Sequence, residues 1–246
     1  MKFSIKYLFT VLILTNVFAL TAQEGGVSAK GPFIKTRISV SPVIGLYKPN
    51  KNHTSGAKQK MAYCISIKEE IRLTKSHKGF FMIGADYMYH GLNFNSYYFF
   101  DDSLHFYTKE MNATYDLIIH EVSIPLQFKY SFQKEYNAIF SSYIFGGYAF
   151  RYLAANNLRV DYNATEMKNG ATDLSFKISP LHKQMSSFLN AGIGFQKNFQ
   201  KTKKNAVFAE LQFKYSMSPL NIKESFAPSS LYIRNHFLLL TVGIKI

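Results

Sequence analysis

An apolar residue at every second position, sustained over stretches of more than ten residues, constrains this chain more than any other feature. From Asp116 to Phe132 the even positions Ile118, Val122, Ile124, Leu126, Phe128, Tyr130 and Phe132 are apolar, with His120 the exception, while Glu121, Ser123, Gln127 and Lys129 take odd positions. A period of two puts one set on one face of a β-strand and the other set on the opposite face. The pattern returns at 206–217, where Val207, Ala209, Leu211, Phe213, Tyr215 and Met217 alternate with Glu210, Gln212, Lys214 and Ser216. It returns again at the end, where Leu238, Leu240, Val242, Ile244 and Ile246 alternate with Thr241, Gly243 and Lys245. Five further stretches, about 33–47, 61–73, 79–90, 138–152 and 185–199, follow it less cleanly, which makes eight predicted strands.

The connections alternate strictly in length. A long loop after the first strand, containing Pro49, Asn50, Asn52 and Gly56, precedes a short turn at 74–78; then come long 91–115, short 133–137, long 153–184, short 200–204 and long 218–230. An even number of strands, long loops at one end and short turns at the other predict an all-β fold: an eight-stranded antiparallel up-and-down transmembrane β-barrel over residues 23–246. Hydrocarbon offers no hydrogen-bond partner, so strands cross it only when the sheet closes on itself. Alternation alone would also suit a soluble secreted ligand-binding β-barrel with its apolar face inward. Segments of 11 to 17 residues favour the membrane form, because a tilted span needs about 9–11 residues and ordinary globular strands about 5–6. Tyr and Phe near strand ends, at Tyr87, Tyr89, Tyr97, Tyr98, Tyr130, Phe132, Tyr148 and Phe150, fit interfacial girdles.

The first residues read as an export signal. Lys2 and Lys6 precede an apolar run from Tyr7 to Leu20, and the segment closes on Thr21-Ala22. Cleavage is expected after Ala22, so residues 1–22 form a signal peptide. The single cysteine, Cys64, excludes an intramolecular disulfide framework and a Cys-based structural zinc site.

If the oily side of each strand faces acyl chains, Ile118, Val122, Ile124, Leu126, Phe128, Leu238, Leu240, Val242 and Ile244 are lipid-facing. The lumen then receives Arg37, Lys68, Glu70, Arg72, Asp86, Glu121, Lys129, Glu210 and Lys214. Eight strands leave an interior just wide enough for side chains, so these charges are expected to form a mutually paired plug rather than a diffusion pore. No base, orienter and nucleophile come together, and the seven histidines lack metal-ligand spacing. The chain is therefore expected to be no enzyme and to carry no cofactor and no metal. The alternative is an outer-membrane hydrolase acting through the second long loop, where Asp101-Asp102-Ser103-Leu104-His105 gathers acid, hydroxyl and imidazole.

A net charge of +14 is spread along the chain rather than gathered on an arm, which argues against a nucleic-acid partner. Lys48, Lys51, Lys58 and Lys60 flank the first long loop, and Lys75, Lys78, Lys201, Lys203 and Lys204 lie in the short turns. Attraction to anionic headgroups of outer-membrane lipid accounts for both groups.

Three segments resemble the outer-membrane β-barrel domain family of Bacteroidota, the PorT-like or porin-family proteins. They are Val122-Ser123-Ile124-Pro125-Leu126-Gln127-Phe128-Lys129-Tyr130, Phe145-Gly146-Gly147-Tyr148 and Leu240-Thr241-Val242-Gly243-Ile244-Lys245-Ile246. The resemblance covers essentially the whole chain after the signal. It implies a signal-bearing integral protein of the outer membrane of a Gram-negative bacterium; the asymmetry of the loops and the lack of a catalytic constellation point to a structural or surface-contact role. For some members the resemblance also implies partnership with an envelope protein complex in secretion or gliding.

Overall fold

The computed structural model describes residues 34–49, 54–74, 78–102, 107–133, 138–164, 174–178, 185–199, 205–222 and 231–246. The expected signal peptide, and Ser103, Leu104 and His105 of the second long loop, lie outside them.

Eight strands form the wall: β1 (Ile34–Pro49), β3 (Tyr63–Arg72), β4 (Gly79–Asp102), β5 (Tyr107–Ser131), β6 (Phe140–Ala164), β8 (Met185–Asn198), β9 (Ala206–Ser216) and β11 (Leu231–Lys245). Each pairs antiparallel with the next, and β1 pairs with β11, so the sheet closes. The closing ladder runs from Arg37 opposite Lys245 to Pro49 opposite Ile233, with Thr36 and Ile246 exchanging backbone hydrogen bonds at its end. Three short strands lie above the wall at the loop end: β2 (Thr54–Gln59) on β4, β7 (Leu174–Ile178) on β6 and β10 (Leu220–Ile222) on β11.

Partner-to-partner steps define the geometry of closure. From Lys35 they run through Glu70, Met82, Gln127, Gly147, Asn190, Lys214 and Phe237 and return to β1 at Gly45, ten residues beyond the start. That stagger with eight strands tilts them by roughly 35–45° and sets a narrow interior.

The eight wall strands are the eight expected ones, and their ends at the short turns lie within about two residues of the expected bounds. The loop ends differ. The 91–115 stretch, expected as a loop, is mostly a ladder from Gly91 opposite Ile118 to Asp102 opposite Tyr107. β6 likewise runs on to Ala164, paired with β5. With β2 and β7 at its edges, this extension makes a five-stranded sheet that stands above one side of the barrel.

Large inward rings fit this radius because glycines face them. A Cβ on Gly194 would lie 2.4 Å from the Tyr143 ring, one on Gly192 2.4 Å from the Phe145 ring and one on Gly243 2.5 Å from the Phe208 ring. Each glycine is the direct cross-strand partner of its ring. We expect Gly194→Val to lower stability by about 1–3 kcal/mol, because Tyr143 must leave a site where its hydroxyl donates to Glu210 at 2.8 Å. Urea unfolding in micelles, followed by tyrosine fluorescence, measures it, and an unchanged midpoint would contradict the packing described.

Candidate functional site: a sealed lumen within an apolar wall

Up to about His90 on β4 and His120 on β5, the outward face of the wall is apolar, and the inward face holds the charged side chains together with large apolar ones such as Phe80, Met82, Tyr143 and Phe145. On β5, Ile124 and Phe128 are 40% and 63% exposed, Ile118, Val122 and Leu126 are half-exposed, and Glu121, Ser123, Gln127 and Lys129 are buried. On β11, Leu240, Val242 and Ile244 are exposed and Leu238 is half-exposed, while Thr241 and Lys245 are buried. The barrel therefore has its apolar face outward, the reverse of a soluble ligand-binding barrel. Two charged side chains interrupt the outer face toward the turn end. Glu69 accepts hydrogen bonds from the Thr36 hydroxyl at 3.1 and 3.2 Å, and Lys197 lies over the Phe140 ring at 5.4 Å.

Above that band the sidedness inverts. On β4, the outward residues change from Phe81, Ile83 and Tyr87 to Asn93 and Asn95, while the inward ones, which are Phe80, Met82, Asp86, Met88 and His90 lower down, become Leu92 and Phe94. On β5, Tyr115, Leu117 and Ile119 are buried inside, and Thr114 and Asp116 face out. Phe94 and Tyr115 stack at 4.7 Å. This is the pattern of a wall leaving an apolar surrounding for water. Tyrosines and histidines mark the change on the outer face: Tyr63 stacks on Tyr89 at 5.3 Å, Tyr87 Oη and His120 Nδ1 are 2.7 Å apart, and Tyr215 stacks on His236 at 4.5 Å. Of the residues expected in girdles, Tyr87 and Tyr89 belong to this belt, and Tyr130 and Phe132 lie at the turn end. The side chains of Tyr97 and Tyr98 lie outside the described residues.

Inside, four carboxylates and six Lys or Arg side chains are buried among the described residues. Nearest the turns, Glu70 accepts from Lys129 at 2.9 Å and Lys245 at 3.0 Å, with Arg37 at 3.6 Å. Arg37 pairs in turn with Glu210, donates to the Tyr143 hydroxyl at 3.0 Å and lies 3.9 Å over the Phe208 ring. Higher up, Asp86 accepts from Lys214 at 2.8 Å and faces Lys68 at 3.7 Å, and Lys68 donates to Gln127 at 3.2 Å. Toward the loops, Glu121 accepts from Arg151 at 3.0 Å and lies 3.1 Å from His90 Nε2, while His90 Nδ1 is 3.0 Å from the Tyr47 hydroxyl.

The structure brings eight of the nine residues expected in the lumen into these pairings. The ninth, Arg72, has lumen-facing parity and is half-buried at the turn rim. Arg151, Lys245 and His90 belong to the same networks and were not among the expected residues. An apolar group lies between the middle and loop-end networks: Val43, Cys64, Met88, Ala149, Phe188, Phe237 and Leu239. Packed rings and paired charges thus fill the lumen in successive levels.

Of the candidate hydrolase segment, Asp101 and Asp102 close β4, their backbones opposite Thr108 and Tyr107. Among the described residues, no group of three His, Cys, Asp or Glu side chains is placed to hold a metal ion.

No family model matches the chain, and neither does any curated protein. Among solved structures, the outer membrane protein OprG from Pseudomonas aeruginosa aligns over 89% of this chain and 99% of its own, with a TM-score of 0.53 at 10% identity. The outer membrane protease OmpT from Escherichia coli aligns over 90% and 98% with a TM-score of 0.41 at 9% identity. The N-terminal β-barrel domain of Pseudomonas aeruginosa OprF aligns over 86% and 97% with a TM-score of 0.36 at 12% identity. The fold comparison rests on OprG, and the shared feature is the closed barrel.

Glu70 holds three cations, so its removal leaves like charges packed in a sealed interior. Glu70→Gln is expected to cost about 3–5 kcal/mol. Asp116→Asn, which breaks the partly exposed pair with Lys60, is expected to cost under about 1 kcal/mol. Comparing the two urea midpoints checks the contrast, and equal losses would contradict a sealed lumen.

Proposed function

We propose that the chain is an integral outer-membrane β-barrel of a Gram-negative bacterium, of the PorT-like kind found in Bacteroidota. Its role in this reading is non-enzymatic: it serves as a fixed wall that presents its loop end, or its turn rim, to other envelope components. The observation that carries the proposal is the inversion of sidedness on β4 and β5, from apolar outside to polar outside at one level of the wall. A protein surrounded by water on every side has no reason to change the polarity of its outer face there. An apolar outer face below that level suits acyl chains, and Asn93, Asn95, Thr114 and Asp116 above it suit water.

The filled lumen supports an anchoring role over a transport role. Conduction needs a continuous wet path, and buried apolar side chains from six of the eight wall strands, Phe188 and Phe237 among them, share the interior with the paired charges. The raised five-stranded sheet supports contact at the loop end, since it extends the wall away from the band on one side.

The experiment is fractionation and gel mobility. The protein is expected in the detergent-extracted outer-membrane fraction, with faster mobility before boiling than after. Recovery in the soluble periplasmic fraction with unchanged mobility would overturn the proposal. Val242→Arg, on the exposed outer face, is expected to destabilise the barrel in lipid vesicles by up to about 2–4 kcal/mol. The same replacement in a water-facing strand would cost little.

A further inference from the structure

Along the seam between β1 and β11, the outward residues are apolar from the turn end upward: Ile38, Val40, Ile44 and Leu46 on one strand, and Ile244, Val242, Leu240 and Leu238 on the other. At the top of this apolar column His236 stands opposite Leu46, and one step higher Lys48 stands directly opposite Arg234. Both cations are exposed, and no acidic side chain pairs with either among the described residues. Lys60, at the same end of the wall, is by contrast paired with Asp116.

Like charges directly opposite each other in an antiparallel ladder repel, with Cβ atoms about 4.5–5.5 Å apart. Such a pair at the upper edge of an apolar face is matched by an anion that enters from the side, carried on something apolar. The Tyr215 ring, stacked on His236 at 4.5 Å and 14°, adds a flat amphipathic platform just below the two cations. We propose that Lys48 and Arg234, with His236 and Tyr215 beneath them, bind the phosphate of an acylated lipid whose chains lie along Leu46, Leu238 and Leu240. This rests on the membrane reading above and adds to it a defined position and a headgroup chemistry.

The test uses the full chain in a sugar-based detergent free of phosphate, with native mass spectrometry as readout. The probes are a diacyl phosphatidic acid, the diacylglycerol with the same chains, and inorganic phosphate in excess as competitor. Wild-type protein is expected to retain the phosphatidic acid and not the diacylglycerol, with inorganic phosphate displacing little of it. Lys48→Ser with Arg234→Ser is expected to weaken retention about tenfold or more, in line with the attraction of two basic side chains for anionic lipid. A second variant, Lys48→Glu, creates an attractive pair with Arg234. It is expected to raise the urea midpoint while abolishing retention, a combination that a purely structural role for Lys48 would not produce. Equal retention by the double variant, equal binding of the diacylglycerol, or full displacement by inorganic phosphate would each overturn the site. Membrane fractionation of wild-type protein keeps the two readings separable. Its failure removes the barrel-in-membrane proposal, whereas normal fractionation with unaltered lipid retention removes this inference alone.

Discussion

Closure of β1 on β11 is the constraint on which the rest of this structure depends. Without it, both edges of an eight-stranded sheet present rows of unpaired backbone groups, and an apolar surrounding offers them nothing. With it, the stagger of ten residues fixes tilt and radius together, and the radius fixes what fits inside. The contents follow. Long basic side chains reach the axis from several strands, and carboxylates meet two or three of them at once, as Glu70 meets Lys129, Lys245 and Arg37. Several of these links cross the seam or span the lumen. Arg37 on β1 pairs with Glu210 on β9, Lys245 on β11 reaches Glu70 on β3, and Ser41 and Thr241 share a hydrogen bond of 2.7 Å. Pairing of the buried carboxylates and closure of the wall therefore depend on each other.

The two faces of the wall serve different demands, and the change of sidedness above His90 and Glu121 shows where one demand gives way to the other. Below that level the outer face is oily, and on the inner face each buried carboxylate meets at least one Lys or Arg. Above it the inner face is the drier one, with Leu92, Leu117 and Ile119 buried. The belt of Tyr63, Tyr87, Tyr89, His120, Tyr215 and His236 lies at the changeover, where rings with one polar edge suit both sides.

Much of this was legible in the residues. Strand number and the order of long and short connections follow from a period of two, and the sidedness of β5, β9 and β11 follows from that period together with segments long enough to cross a bilayer. The loop ends of β4, β5 and β6 were less legible. There the alternation changes phase rather than stopping, and Leu92, Phe94, Tyr115 and Leu117 keep the same parity on the inner face that charged residues hold lower down. A phase change at Asn93 and at Asp116 is the signal that would have extended those strands. Arg151 was hidden for a related reason: β6 carries Tyr143, Phe145 and Ala149 inward and Ile144, Tyr148 and Phe150 outward, so both faces look apolar and neither stands out as wet. His90 lies where β4 was expected to end. Lys245 falls on the polar face of the last stretch, but its partner Glu70 is 175 residues away in sequence, and no local pattern joins them.

The facing of rings and glycines has a consequence for how the strands find their alignment. An apolar-polar alternation distinguishes the two faces, yet it is blind to a slide of two residues, which returns every side chain to the face it left. Tyr143 on Gly194, Phe145 on Gly192 and Phe208 on Gly243 are not blind to it. A two-residue slip of β6 against β8 drives one of the two rings onto Gln196 or Asn190, and the same slip of β9 against β11 drives Phe208 onto Thr241 or Lys245. These three notches act as detents, selecting one alignment from a set that hydrophobicity alone would leave degenerate.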